Sequence, residues 1–254
     1  MSPCHVFSIA DHLDTVDENA LYMKTIIGDT LSVSVVKFVE NARKNLRRDA
    51  HRHGEEICLQ LAGTCSMYTV AEDGKETENI LQPGDTAIIS PETMHYAVNR
   101  FGSDGISMRL NVLALPRDKT NVQSGLETTP HTHRSEATNE TSIKYLTPFA
   151  LHGAHLPARH HRHSTHSRAF DWNKGTSMDS QLCVLYRRES IPAAADQSGE
   201  EVCAILDGQF DIDVAGEAHS LSAGQGVLIP PHLARRFECG SASGVLYRVV
   251  MQTW

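Results

Sequence analysis

The stretch GEEICLQLAG (54–63) recurs as GEEVCAILDG (199–208), at a constant offset of 145 residues and with six of ten positions identical. Each copy is a short apolar run bounded by turn residues, which is strand length rather than helix length. A second block repeats as well. LQPGDTAIISPETMH (81–95) lies over LSAGQGVLIPPHLAR (221–235) at an offset of 140, so the hairpin between the blocks is five residues shorter in the second copy. Outward from these blocks, LSVSVVKFV (31–39), CSMYTV (65–70) and ISMRLNVLAL (106–115) in the first half are answered by QLCVLYRR, QFDIDV and GVLYRVVM in the second. Turn pairs such as Asp73-Gly74, Pro83-Gly84 and Ala215-Gly216 punctuate both halves. The pattern is an all-β unit present twice by internal duplication.

Composition bounds what such a chain does. With 254 residues, 40% hydrophobic and 21% charged, it can bury a sizeable core. Lys plus Arg number 23 against 31 Asp plus Glu, a net charge of −8 that argues against a phosphate-tracking surface and so against nucleic acid as a partner. No apolar run approaches the roughly 20 residues that span a bilayer, and the start lacks a cationic region followed by an apolar one. A cytoplasmic protein with no membrane partner is expected. Six dispersed cysteines, none in a C-x-x-C pair, read as buried thiols rather than a disulfide framework. Residues 119–170, rich in Thr, Ser, Asn and His, read as a linker or surface excursion. Residues 1–30 could hold a short helix and a lead-in strand.

Histidine is the residue type out of line, with 15 in the chain. In AHRHGEE (50–56), His51 and His53 stand two apart, so on a strand they project from one face as two ligands of one metal must. Glu55 and Glu56 follow, and His95 arrives from another strand after the Pro91 turn. Imidazoles with a carboxylate and room for water suit a divalent transition metal such as Fe, Mn, Ni or Zn. His131, His133 and Glu136 repeat the same spacing, but no apolar strand or glycine follows them. The run ARHHRHSTH (158–166) reads as an exposed segment.

These blocks resemble the two motifs of the cupin superfamily: a histidine pair, a glutamate and a glycine, then a glycine, a proline turn, a histidine and an asparagine. Here they are His51, His53, Glu56 and Gly63, then Gly84, His95 and Asn99. The resemblance covers both halves and implies a bicupin, two tandem double-stranded β-helix barrels. It places an N-terminal metal-binding barrel at 1–118, the linker at 119–170 and a degenerate C-terminal barrel at 171–254. Only Gly54 and Glu55 separate His53 from Glu56, a shorter spacer than the family's usual one, so a three-histidine site without carboxylate stays open beside the four-ligand set. Asn45 and Glu92 stand where the family usually has glycine. In the second copy Asp196, Ser198, Glu201 and Arg235 replace His51, His53, Glu56 and His95. An arginine there repels a cation and can pair with Glu201, so one metal per chain is expected.

No phosphate cradle, nucleophile elbow or dinucleotide fingerprint occurs, so a metal must carry the chemistry. The resemblance implies first an Fe(II)-dependent dioxygenase acting on a small chelating substrate. The second reading is a non-redox isomerase, cyclase or lyase using Zn, Ni or Mn, with Glu55 or Glu92 moving a proton. The third is a non-catalytic binder or pirin-like regulator. Gln60, Tyr68, Tyr96 and Arg109 are candidates for the substrate pocket. Such barrels commonly pair through edge strands, and a homodimer is expected.

Overall fold

The computed structural model describes residues 4–9, 21–39, 53–101, 106–115, 143–146, 160–162, 168–174, 177–192 and 198–252. Every regular element among them is a β-strand. The first half contributes β1 (His5–Ser8), β2 (Leu21–Ile27), β3 (Leu31–Val39), β4 (Glu56–Ala62), β5 (Thr64–Val70), β6 (Glu76–Leu81), β7 (Thr86–Ile89), β8 (His95–Phe101) and β9 (Ile106–Ala114). The second half contributes β10 (Ile143–Leu146), β11 (His160–Arg162), β12 (Arg168–Lys174), β13 (Met178–Tyr186), β14 (Ser190–Ile191), β15 (Glu201–Asp207), β16 (Gln209–Val214), β17 (Glu217–Ser222), β18 (Gln225–Ile229), β19 (Arg235–Cys239) and β20 (Ser243–Met251). No helix among the described residues is long and apolar enough to cross a membrane.

Each half builds one large sheet and one small sheet. The large sheets run β10-β7-β4-β9-β3-β2 and β1-β18-β15-β20-β13-β12-β11, and the small ones β6-β5-β8 and β14-β19-β16-β17. Among the described residues the order is shared except for β11 and β14, which have no counterpart in the first half, and β4 and β15 take equivalent places. Each half also gives its first strand away: β1 pairs with β18 of the second barrel, and β10 pairs with β7 of the first. Thus β10, β11 and the start of β12 fall in the stretch expected to be a linker, and β10 is part of the first barrel's sheet. The segments carrying His131, His133, Glu136, His163 and His166 lie outside the described residues, as does the proposed N-terminal helix.

Why GEEICLQL reads as an almost unbroken apolar run is now clear, because both faces of β4 are buried. Alternate residues Ile57 and Leu59 pack with Leu110, Val112, Met178, Val202, Ala204 and Tyr247 in a core between the two large sheets. Cys58, on the other face, packs with Cys65, Met67, Leu81 and Ile89 inside the first barrel. β15 divides identically, with Val202 and Ala204 in the seam and Cys203 and Ile205 inside the second barrel. All six cysteines are free thiols, and five of them are buried.

Two backbone constraints explain residues that the repeat retains. A Cβ on Gly54 would run into the Ala114 carbonyl, and one on Gly199 into the Met251 carbonyl, so the glycine of each GEE block lets the last strand of its barrel pass closely. The turns after Pro91 and Pro231 hold Glu92 at φ 62° and His232 at φ 61°, a left-handed conformation in both copies. A non-glycine residue is strained there. Glu92→Gly is therefore expected to raise stability by about 1 kcal/mol, read as a shift in the denaturation midpoint, because the change relieves that backbone penalty.

Candidate metal centre

His53 precedes β4, Glu56 opens it, and His95 opens β8 across the barrel, so three side chains distant in sequence turn to one point. Their ligand atoms all lie within 4.8 Å of one another. Glu56 Oε2 is 2.8 Å from His53 Nε2 and 3.4 Å from His95 Nε2, and the two rings meet edge to face at 4.7 Å. The other ring nitrogens are committed to the backbone. His53 Nδ1 lies 2.7 Å from the Gly54 carbonyl and His95 Nδ1 lies 2.8 Å from the Thr93 carbonyl. A carbonyl accepts only from N–H, so each Nδ1 carries a proton and each Nε2 is the nitrogen turned toward Glu56, donating to the carboxylate when protonated and presenting a lone pair to a metal when not. That is the outer support characteristic of metal-ligating histidines.

Electrostatics sharpen the arrangement. Burial opposes a charged Glu56 carboxylate, but the hydrogen bonds and charges of His53 and His95 outweigh it and hold its pKa well below the usual carboxylate range. Burial likewise opposes protonation of His53, yet Glu56 overcomes it and raises the imidazole pKa. A buried carboxylate beside two imidazole Nε2 atoms is a donor set for a divalent metal, which would take the place of the Nε2 protons. The residues present fit such an ion.

The sequence candidates separate by face. Gln60 and Arg109 point into the barrel, where Gln60 Nε2 donates to the Ala62 and Gly63 carbonyls and to Ser107 Oγ, and Arg109 Nη1 lies 2.9 Å from Cys65 Sγ. Tyr68 and Tyr96 do not. They stack at 4.8 Å on the opposite face of β5 and β8 from Met67 and His95, since neighbouring strand residues alternate sides, and this corrects their placement in the pocket. Glu92 is exposed at the rim; its backbone N–H donates to the His53 carbonyl at 2.9 Å, and its charge helps raise His53. His51 and Asn45 lie outside the described residues. Asn99 lies in β8, on the strand that carries His95.

Glu55 requires the largest correction. One residue from Glu56, it faces the seam, 1% exposed, where its Oε1 accepts the Ser177 and Met178 backbone N–H groups at 3.0 and 2.9 Å. Its counterpart Glu200 does the reverse, accepting the N–H groups of Asp29, Thr30 and Leu31 in the first half. These reciprocal carboxylates cap the starts of β3 and β13 in each other's barrels, so Glu55 is a clasp between halves and not a base beside the metal. Glu55→Leu leaves two amides without an acceptor and is expected to cost about 3 kcal/mol in chemical denaturation.

One contact had no signal in the spacing. Cys58 Sγ, two residues along β4, donates to Glu56 Oε1 at 2.9 Å and so turns Oε2 toward the histidines. Burial and the Glu56 charge push this thiol's pKa well up. Its identity in both copies, as Cys58 and Cys203, was visible but carried no obvious meaning.

No family model matches the chain, and no curated protein matches it in sequence. Among solved structures, the chain is similar to AerE from Microcystis aeruginosa, at TM-score 0.64 and 14% identity over 94% of this chain and 95% of that one. It is also similar to the Lactobacillus farciminis oxalate decarboxylase formate complex, at TM-score 0.64 and 14% identity over 98% of this chain and 86% of that one. A cupin 2 conserved barrel domain protein from Leptotrichia buccalis aligns at TM-score 0.58 and 10% identity over 94% of this chain and 92% of that one. The chain has the cupin fold.

Within that fold the second copy of the site is closed by salt bridges. Glu201, fully buried, accepts Arg235 Nε at 2.5 Å on Oε2 and Arg248 Nε on Oε1. Arg235 also donates to the Leu233 and Gly199 carbonyls, while Arg248 reaches Gln181 Oε1 and sits 5.1 Å above the Phe237 ring. Burial opposes the Glu201 charge, but Arg248 and then Arg235 overcome it and lower its pKa. The cupin position that holds His95 in the first barrel thus holds a buried guanidinium in the second.

Proposed function

We propose that the first barrel is the working site of a metal-dependent cupin enzyme, most specifically a non-haem Fe(II) dioxygenase acting on a small chelating organic substrate. The observation that carries this reading is the donor set, two histidines with protonated Nδ1 and one carboxylate converging on a point. Two histidines and one carboxylate with open positions are the set associated with non-haem Fe(II) oxygenases. His53, Glu56 and His95 would hold the ion, with His51 available as a further ligand. The metal would supply Lewis acidity and redox capacity.

The chain's own residues do the rest. Cys58 and the Gly54 and Thr93 carbonyls orient the donors. Arg109, buried in the barrel, provides a positive charge for an acidic substrate group. The second reading, a non-redox lyase or isomerase with Mn, Zn or Ni, draws support from the oxalate decarboxylases among the structural neighbours. In that reading Glu92, at the rim, is the available proton carrier. Elemental analysis of untagged protein, followed by oxygen uptake with catechol, enol and β-diketone substrates, tests the proposal. About one iron per chain with substrate-dependent oxygen consumption supports the dioxygenase. One manganese, zinc or nickel and turnover unchanged without oxygen moves the assignment to the second reading, and no metal after repletion removes both.

A further inference from the structure

The chain builds one barrel interior twice and lines it differently. Strand registers align the copies: Cys58 faces Asn111 across β4 and β9, and Cys203 faces Arg248 across β15 and β20. In the second barrel Arg248 reaches over Glu201 and sits above the Phe237 ring, and Phe210 and Phe237 are both fully buried. The equivalent positions in the first barrel are Asn111, Cys65 and Ala97. Each of these three exchanges replaces a long or aromatic side chain by a shorter one, while one step further along the strands Arg109 stands where the second barrel has Leu246.

Asn111 is the residue this space uncovers. Its neighbours Leu110 and Val112 face the seam, so Asn111 points into the barrel, yet it is only half-buried while Arg248 is 5% exposed. Its side chain makes no hydrogen bond among the described residues, and its Oδ1 is buried without a partner. Gln60, diagonally across on β4, is 1% exposed and repeats the feature: three acceptors hold its Nε2, so the buried Oε1 is an acceptor without a donor. Two orphaned buried acceptors on adjoining strands call for an occupant that donates hydrogen bonds.

Resting on the metal-site reading above, we infer that the occupant is a small hydroxy acid. Its chelating oxygens meet the His53, Glu56 and His95 end, and its hydroxyl donates to Asn111 Oδ1. Two residues along a strand, Asn111 stands about 7 Å deeper than the Glu56 level. Gln60, paired in register with Arg109 one step further, accepts from a second hydroxyl through its Oε1. Asn111 is then the residue that decides substrate class, a role that Arg248 forecloses in the other barrel.

The test uses the full chain loaded with Mn(II) as a redox-silent ion, with glycerate and lactate as probes of the same charge and chelating group that differ in the terminal hydroxyl. Binding is read by calorimetry and water-proton relaxation. Wild type is expected to favour glycerate by about tenfold, the value of one hydrogen bond. Asn111→Leu should bring the two probes level while retaining Mn(II), and Asn111→Arg should fold but lose Mn(II), its guanidinium taking Glu56 as Arg248 takes Glu201. Mn(II) bound with no preference for glycerate, or a preference that survives Asn111→Leu, overturns the inference and leaves the metal site standing. Absence of Mn(II) binding by wild type overturns both.

Discussion

Replacing His95 by alanine is expected to weaken divalent-metal binding by more than about 100-fold, because loss of a ligand exceeds the 10–100-fold typical of losing a ligand's outer partner. His95 is 2% exposed and its Nε2 faces Glu56 Oε2, so alanine removes a donor and opens a small void without disturbing the strand ladder between β5 and β8. Glu56→Gln should have a comparable effect, since it removes the negative charge that offsets the cation. Competition titration with a chromophoric chelator measures both. Near-native affinity in His95→Ala would mean that the cluster is a hydrogen-bonded network and not a metal centre. Metal binding by wild type should also weaken on acidification from above the ordinary histidine pKa, because the raised pKa of His53 brings proton competition in early.

Glu201→Gln is expected to be the most damaging single change in the second barrel, at about 3–5 kcal/mol, the usual cost of leaving buried charge uncompensated. Glutamine keeps the volume but strands Arg235 and Arg248, which are both buried. Replacing the whole triad with apolar residues should cost far less, since it removes the charges that need compensation. Denaturant unfolding of the two variants makes the comparison, and equal destabilisation would show that packing rather than charge is decisive. The pH dependence follows from the lowered pKa of Glu201. A depressed carboxyl pKa contributes stability that is present above the unfolded value near 4.5 and lost as pH falls through the folded value. Wild type should therefore lose stability in the acid range below that, and Glu201→Gln should show less of that loss.

The metal centre and the salt-bridged triad sit at equivalent points of the duplicated fold, and they meet the same electrostatic problem differently. A buried glutamate two residues before a cysteine needs positive charge. The first barrel meets that need with two histidines that can give way to an ion, and the second builds the charge in as Arg235 and Arg248. The Cys58 and Cys203 thiols donate to their glutamates in the same way, so the support is older than the divergence in charge partner.

How much of this was legible beforehand depends on the kind of information that a strand carries. Alternation says that Glu55 and Glu56 lie on opposite faces, and likewise His95 and Tyr96, but not which face is the interior when both are buried. Glu55, Tyr68 and Tyr96 were assigned to the pocket for that reason, and the seam between the large sheets claims the first while the outer face of the small sheet claims the others. Asn111 gives no spacing signal, because its role depends on neighbours across β4 and β9 that sequence does not pair, and Cys58, only two residues from Glu56, reads in sequence as any buried thiol. The exchange of β1 and β10 was equally hidden, being a long-range pairing that no local pattern encodes.

By itself the sequence determined that the chain is an all-β duplication, that histidines and a glutamate of the first copy are the ligand candidates, and that Arg235 displaces one of them in the second. Those readings rest on residue type, period and offset, which are local or self-referential. The tertiary structure decided that Glu56 faces the histidines while Glu55 clasps the other barrel, and that Arg248 covers Glu201 in the second interior where Asn111 stands in the first. Such decisions belong to side-chain neighbours brought together across sheets, and only the packed molecule contains them.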